Sequence, residues 1–455
     1  MDIIKPLIKH AVYPAMEFLK GNRIRANMKW LQENERQPVG KLRALQKEKL
    51  TKLLLICVRE VPAYRAYAYL EDAIKADPFA ALTKFPVVKK ADFRGNPEPY
   101  INPSAPAEGR IHNESGGSTS EPVRFLLDRE TVEFYEAARW RGLAWHGAEP
   151  GDRHLMITGV LSESSPRMRK AEAVKDKWLK NRVFLSAFSL RREEMPDYVR
   201  RIDKYRPAYV YGYVSALYVF AQMMEEMGLA FARAPKCVVT TAETLYDNQR
   251  EAISRVFRAP VVNEYGAKDG GILAMSCACG GLHETVENAV LEAVDPVTYA
   301  PVAKGETGIL LVTELNNLTM PRLRYQIGDR AALSDAACPC GVTLPLLAKV
   351  EGREDDMFLT VDGRLVHAGV FNHLNNITYA TKKFQLVQER PDYAVLTIVR
   401  VAEPNEDALQ RFIHEVREAL PGTTVEVVEA DDIPPLRSGK VRYGIRNFPL
   451  RAYMK

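Results

Sequence analysis

The chain has 455 residues, 46% of them hydrophobic and 27% charged, with 63 Lys and Arg against 58 Asp and Glu for a net charge of +5. That length exceeds one simple core and predicts two domains. The composition excludes a disordered chain, and the small, dispersed positive excess gives no footprint for nucleic acid.

No secretory signal and no apolar run long enough to span a bilayer stands in the sequence, so a cytoplasmic location is expected. The opening stretch, Met1 to Lys20, sets Ile3, Ile4, Leu7, Ile8, Val12, Met16 and Leu19 beside Lys5, Lys9 and Lys20. It reads as an amphipathic helix, packed on the body by preference or lying on a membrane as the alternative. Pro6 and Pro14 argue against one long continuous helix there. Residues 1–80 are mainly helical, with Leu50 to Val58 at helical spacing and Val61-Pro62 as the stop. Residues 81–110, rich in proline, read as connecting loops.

From Ile111 to about Ala348, short apolar runs alternate with longer helical ones. Tyr209–Tyr211, Ser215 to Met227, Cys237–Thr240, Asp247 to Phe257 and Val261–Val262 are examples. The alternation predicts an α/β layer structure with parallel strands, whose ligand sites form where loops leave the carboxyl ends. A second unit begins near Arg353. Met357–Val361 and Arg364–Ala368 flank an Asp362-Gly363 hairpin turn. Phe384–Val387 and Ala394–Val401 read as strands, and Asn405 caps a helix with the apolar stripe Leu409, Phe412, Ile413, Val416 and Leu420. Thr424–Val428 alternates as a last strand. The expected fold class is α/β. A large multi-layer N-terminal domain (1–352, with 1–110 as preamble) precedes a small mobile α+β domain (353–455).

Polar motifs punctuate this pattern. Ser115-Gly116-Gly117-Ser118-Thr119-Ser120-Glu121-Pro122 offers backbone amides and hydroxyls to an anion, although it lacks the Gly-Lys-Ser/Thr ending of a Walker loop. Asn263-Glu264-Tyr265-Gly266-Ala267-Lys268-Asp269-Gly270-Gly271 follows a strand and places a carboxylate where a magnesium ion could bridge phosphates. Tyr325-Gln326-Ile327-Gly328-Asp329-Arg330 reads as a turn whose carboxylate can accept ribose hydroxyls. Gly352-Arg353-Glu354-Asp355-Asp356 stands at the domain boundary, and Arg437-Ser438-Gly439-Lys440 lies near the C-terminus. Each has a bland reading as a solvated loop or surface charge.

Cys57 and Cys237 sit alone in apolar surroundings and read as core. Cys277-Ala278-Cys279, with His283 close behind, and Cys338-Pro339-Cys340 supply four sulfurs and an imidazole. Without a secretory signal a metal is preferred over disulfides, and tetrahedral zinc needs four such ligands.

In this order the motifs resemble those of the superfamily of acyl-CoA synthetases, peptide-synthetase adenylation domains and luciferases, the adenylate-forming enzymes. Within it the chain looks most like the phenylacetate-CoA ligase branch and its capsule-biosynthesis relatives, from about residue 50 onward. The resemblance implies roles. Ser115, Gly116, Gly117, Ser118 and Thr119 fall on the phosphate-gripping loop. Gly116 and Ser120 depart from its pattern Ser-Gly-Ser/Thr-Thr-Gly-x-Pro. Ala242 and Glu243 would line adenine, and Tyr265, followed by Gly266, would stack on it. Asp269 stands where the family usually has a magnesium-binding glutamate. Asp329 falls on the ribose-binding aspartate, Arg353 on a ribose- and phosphate-contacting arginine, Asp355 on the hinge, and Lys440 on the catalytic lysine. Tyr211, Gly212 and Tyr213 fall beside the acid pocket. Some members of the branch hold zinc at similar cysteines. The preferred set here is Cys277, His283, Cys338 and Cys340, with Cys279 as spare or substitute.

The implied activity is ATP-dependent conversion of a carboxylic acid, by preference an aryl acid, to an acyl-adenylate, then transfer to a thiol, with CoA preferred. ATP, Mg2+, CoA and structural Zn2+ are the expected cofactors. A carrier protein as acceptor, AMP transfer itself, and a degenerate nucleotide-binding protein of envelope polysaccharide assembly are the alternatives. The oligomeric state stays open, a dimer being one option.

Overall fold

The structure is a computed structural model. It describes residues 4–114, 123–158, 176, 178–186, 192–353, 357–363, 365–368, 371, 375, 380–401, 405–434 and 442–448.

The preamble is helical because its apolar residues recur every three or four positions. The helix Val39–Glu60 buries Leu42, Leu50, Leu53, Leu54, Cys57 and Val58 on one side and ends at extended Val61, before Pro62. That face enters a core shared with Phe85, Val88, Leu310, Val312, Leu323 and Tyr325, so the preamble is part of the large domain. Residues 81–110 are more ordered than a loop reading implies. They hold the helix Lys90–Gly95, and Val88 bridges to Tyr325.

A hairpin of β1 (Ile111–Glu114) and β2 (Arg124–Leu127) follows, pairing antiparallel. The main sheet then takes β3 (His154–Thr158), β4 (Arg182–Ser186), β5 (Tyr209–Tyr213), β6 (Cys237–Thr241), β7 (Val261–Ala267), β8 (Gly271–Ser276), β9 (Leu282–Glu284), β10 (Ala289–Val294), β11 (Gly308–Glu314), β12 (Tyr325–Ser334) and β13 (Leu346–Arg353). Its order is β10-β11-β12-β13-β9-β8-β7-β6-β5-β3-β4. Strands β3 to β7 pair parallel, as the strand–helix alternation predicts. From β7 onward every pairing is antiparallel, so the sheet is mixed rather than parallel throughout. The physical reason is connection length: parallel neighbours need a crossover helix, while β7 and β8 are joined by a short turn.

The C-terminal unit carries the hairpin β14 (Met357–Leu359) with β15 (Leu365–His367). Beside it lies a sheet ordered β18-β17-β16-β19, made of β16 (Lys383–Arg390), β17 (Tyr393–Val399), β18 (Thr424–Glu429) and β19 (Gly444–Arg446). Strand β19, absent from the sequence reading, pairs parallel to β16. Three residues give too short a pattern to be read as a strand. The side chain of Asn405 accepts a hydrogen bond from the Ala408 amide and caps the helix Glu406–Ala419. That helix buries Leu409, Phe412, Ile413 and Val416 against Phe384, Leu386, Leu396 and Ile398, a core separate from that of the main sheet.

Candidate functional site

The site grows from the carboxyl edge of the parallel strands. Register aligns Tyr213 with Thr241 and Thr241 with Glu264, so three separately read motifs meet on one edge. Gly212 permits this: a Cβ there would stand 2.5 Å from the carbonyl oxygen of Ile157 on the neighbouring strand. Just past β6 the chain turns through Ala242 at φ +69°, a left-handed conformation uncommon for a residue with a Cβ and typical of functional turns. The turn directs Glu243 at the helix Val214–Glu226. Its carboxylate accepts from the Ser215 amide at 2.6 Å and from Ser215 Oγ at 3.0 Å. An anion there satisfies orphan donors at a helix N-terminus.

Behind this edge lies a buried polar network. Glu264 is only 2% exposed. Its Oε1 accepts from the Tyr211 hydroxyl at 2.5 Å and Thr241 Oγ1 at 3.1 Å, and its Oε2 accepts from Arg139 Nε at 2.9 Å. Burial pushes the Tyr211 phenol well above its usual range, so it remains a donor. Burial works against the charge on Arg139, but Glu264, Tyr211 and Glu136 together outweigh it and hold the guanidinium charged. Sequence reasoning singled out Tyr211 and passed over Arg139. The only local signal for Arg139 was Glu136 three residues earlier, one helical turn away, with which it pairs at 2.6 Å.

The next two motifs turn out to be strands rather than loops. Residues Asn263 to Ala267 continue β7, because β8 returns alongside and supplies ladder partners. Gly271, at φ +72°, makes that return possible; a Cβ would overlap the ring of Tyr135. Likewise Tyr325 to Arg330 lies within β12, irregular in register against β11 and β13, with Gly328 at φ +95°. The two motifs are joined directly: the Tyr265 hydroxyl donates to Asp329 Oδ2 at 2.8 Å. Asp329 stands opposite Arg353 in the β12–β13 ladder. The side chain of Arg353 lies outside the described residues.

Asp269 is 3% exposed. Its Oδ2 accepts from the Tyr325 hydroxyl at 2.8 Å and lies 3.6 Å from Lys90 Nζ. Burial raises this carboxyl, while Lys90, the Tyr325 hydrogen bond and Arg322 together hold it below its usual range. Lys90 was read as part of a loop. It reaches the site because Val88 adds to β12: the Gln326 amide donates to the Val88 carbonyl at 2.9 Å.

This pair makes a pH prediction. A depressed folded pKa contributes stability above the unfolded value near ~3.9 and loses it as pH falls through the lower folded value. In Lys90→Met, burial acts without its counter-ion and the carboxyl rises. The variant is expected to lose about 1–3 kcal/mol at pH 7, below the range for a fully buried pair because Lys90 is partly exposed. The gap should narrow at pH 5, where the variant's carboxyl takes up a proton. Urea unfolding at the two pH values checks this, and a gap that widens at pH 5 contradicts it.

A second centre lies across the sheet. Cys277, His283, Cys338 and Cys340 bring their ligand atoms within 4.8 Å of one another. Cys277 Sγ is 3.5 Å from Cys338 Sγ, and His283 Nε2 is 3.2 Å from Cys340 Sγ. Two thiolates at ~2.3 Å from a tetrahedral zinc stand about 3.8 Å apart, so the group fits that ion. His283 Nδ1 lies 3.0 Å from the Leu344 carbonyl, which orients the ring with Nε2 toward the sulfurs. The group forms because β13 pairs with β9, setting Leu346 opposite His283. Cys279 is exposed and falls outside this group of four.

Ser115, Gly116, Gly117, Ser118, Thr119, Asp355 and Lys440 lie outside the described residues.

No family model matches the chain. It is 28% identical over 426 residues to a phenylacetate-coenzyme A ligase of Thermus thermophilus, covering 89% of each chain. It is 22% identical over 379 residues to protein CapK of Staphylococcus aureus, covering 81% of each. Among solved structures, 2-hydroxyisobutyryl-CoA ligase in the postadenylation state matches with a TM-score of 0.68 at 21% identity, covering 91% of both chains. That likeness is one of fold: a large mixed α/β sheet domain with a smaller C-terminal α/β domain. In sequence the chain is thus similar to phenylacetate-coenzyme A ligases and to CapK, and in fold to an acyl-CoA ligase.

Proposed function

We propose that the protein is an AMP-forming acid–thiol ligase. It converts a carboxylic acid and ATP to an acyl-adenylate with release of pyrophosphate, then passes the acyl group to CoA. The observation that carries the reading is the hydrogen bond between Tyr265 and Asp329 beside Ala242 and Glu243. It sets an aromatic ring and a carboxylate side by side at the carboxyl edge of the sheet, where α/β proteins bind nucleotides.

In this reading adenine lies between the Ala242–Glu243 turn and the Tyr265–Gly266 strand. Asp329 accepts from the ribose hydroxyls, and the arginine at 353 adds a contact to ribose or phosphate. The loop at 115–119 grips the phosphates. The acid enters beside Tyr211, Gly212 and Tyr213. Glu264 and Arg139 neutralise each other beneath it, so neither offers a free charge to the substrate. Aryl specificity is the preference that the branch implies.

Mg2+ supplies charge neutralisation at the phosphates when it is bound. Asp269 does not stand open as its ligand: the carboxylate is buried and faces Lys90. What the chain's own cations contribute is electrostatic. Lys440 would offset the charge that builds up as a carboxylate approaches the α-phosphate. The proposed domain boundary lies between residues 352 and 353. Rotation about Asp355 would exchange the adenylation arrangement for one open to a thiol. Zinc, held by Cys277, His283, Cys338 and Cys340, would staple the β8–β9 turn to the loop between β12 and β13. The location is proposed as cytoplasmic; among the described residues no helix is long and apolar enough to cross a membrane.

The test is pyrophosphate release with ATP and a panel of aryl and short aliphatic acids, followed by addition of CoA. Acid-dependent release and a CoA-dependent rise in AMP support the reading. Release with no thioester, with CoA or with a carrier protein, leaves only adenylation. Absence of release with every acid favours a nucleotide-binding protein without turnover.

A further inference from the structure

The first helical stretch carries a feature that the proposed reaction does not use. It runs as Ile4–Leu7, a π-helical turn Ile8–Val12 and Tyr13–Lys20, passing through both prolines without a break. Pro14 enters at the first turn of the last segment, where its missing amide costs little. One face docks on the large domain. Ile8 is buried against Gly151, Lys5 pairs with Asp152 at 2.6 Å, and Lys9 pairs with Glu149 at 2.9 Å. The helix therefore packs on the body, as the sequence prefers.

The opposite face is apolar and uncovered. Leu7, Ala11, Ala15, Phe18 and Leu19 are exposed, at the spacing of a single helical stripe. Leu7 is 47%, Phe18 87% and Leu19 81% exposed. Burying such side chains inside is the norm, and two adjacent large ones in water mark an interaction surface. The charges of the helix and its continuation are cationic in excess. Residues 4–36 carry seven Lys and Arg against three Glu. Glu17 is buried and paired with Arg25, and Glu35 is buried beside the Trp145 indole, which donates to it. Glu33 is drawn toward Lys29 at 3.9 Å. Lys20 and Arg23, at the end of the stripe, are exposed. An apolar stripe rimmed by cations matches the interfacial layer of an anionic bilayer, apolar beneath and negative at the headgroups.

We propose that this helix seats the enzyme on an anionic membrane surface, with Phe18 and Leu19 inserted and Lys20 and Arg23 at the headgroups. The helix lies flat in this arrangement and does not span.

Sedimentation of the full-length protein with vesicles tests the proposal. One set is phosphatidylcholine alone, and the other contains phosphatidylglycerol at about a third of the lipid. Binding is expected to the anionic set and to weaken with salt. Phe18→Ser with Leu19→Ser should lower the apparent partition coefficient at least ~10-fold, since binding scales with the apolar area inserted. Both side chains point outward, so the melting temperature and pyrophosphate release should stay at wild-type values. Lys20→Glu with Arg23→Glu should abolish the preference for anionic vesicles. No sedimentation with anionic vesicles overturns the proposal. So does binding that the serine variant retains. A protein that ignores vesicles but changes from dimer to monomer on the serine substitutions, measured by light scattering, assigns the stripe to a second copy instead and also overturns it.

Discussion

Lys440→Ala is expected to slow acyl-adenylate formation by at least ~10²-fold, the scale of losing one preorganised electrostatic donor. Two anions must meet in that step, the carboxylate and the α-phosphate, and a fixed cation offsets their repulsion. Transfer from a preformed adenylate to CoA should survive, because in the proposed reaction the small domain is then rotated away. The described residues nearest to Lys440 in sequence are well held. Strand β19 begins four residues beyond Lys440 and is held parallel to β16, with Leu386 opposite Gly444. Tyr443 packs on Phe384, and burial, followed by the charge of Glu243, pushes its phenol up. The segment that carries Lys440 thus leads directly to a residue that feels the carboxyl edge of the main sheet. Pyrophosphate exchange measures the first half-reaction, and thioester formation from synthetic acyl-adenylate measures the second. Equal loss in both would defeat the model of two domain orientations.

Loss of the proposed zinc is expected to give the second large effect. Protein purified without chelator is expected to carry about one equivalent of zinc, and less than half an equivalent counts against the site. Cys277→Ser should lose that metal and lower the melting temperature by roughly 3–5 °C. This corresponds to about 3 kcal/mol in a domain of ~350 residues. The loss is structural. The four ligands come from the β8–β9 turn, β9 and the loop before β13, next to strands that the main sheet already pairs. Nucleotide affinity should change little at the working temperature. Cys279→Ser is the internal control, because Cys279 is exposed and outside the group. It should leave both metal content and melting temperature at wild-type values. Equal damage from both substitutions would reassign the metal.

The sequence exposes those parts of the site that are local. The Asn405 cap and the stripe from Leu409 to Val416 are read from residue type and spacing, and the helix forms where they place it. The helix from Asp247 to Phe257 begins and ends as its pattern predicts. The cysteine pairs stand out because four of the six cysteines come as two close pairs with a histidine nearby, a ligand set suited to zinc. By contrast, Asn263 to Ala267 and Tyr325 to Arg330 read as loops and are strands. Glycine and polar content lower β propensity, but a neighbouring strand that supplies ladder partners outweighs it. Lys90 carried no signal of its own and Arg139 only that of Glu136 one turn earlier, since a cation on a helix is usually solvated.

What the sequence determined by itself is therefore the inventory and its order: the helical preamble, the strand–helix alternation, the acidic, glycine-rich and cysteine motifs, and the separate C-terminal core. What only the tertiary structure decided is which of these meet. It joined Tyr265 to Asp329 across 64 positions and Glu264 to Arg139 across 125. It closed Asp269 behind Lys90, and it left Phe18 and Leu19 facing out. Periodicity and capping act over a few residues and are written in the chain. Burial and ion pairing depend on strand order and register, which no local pattern specifies.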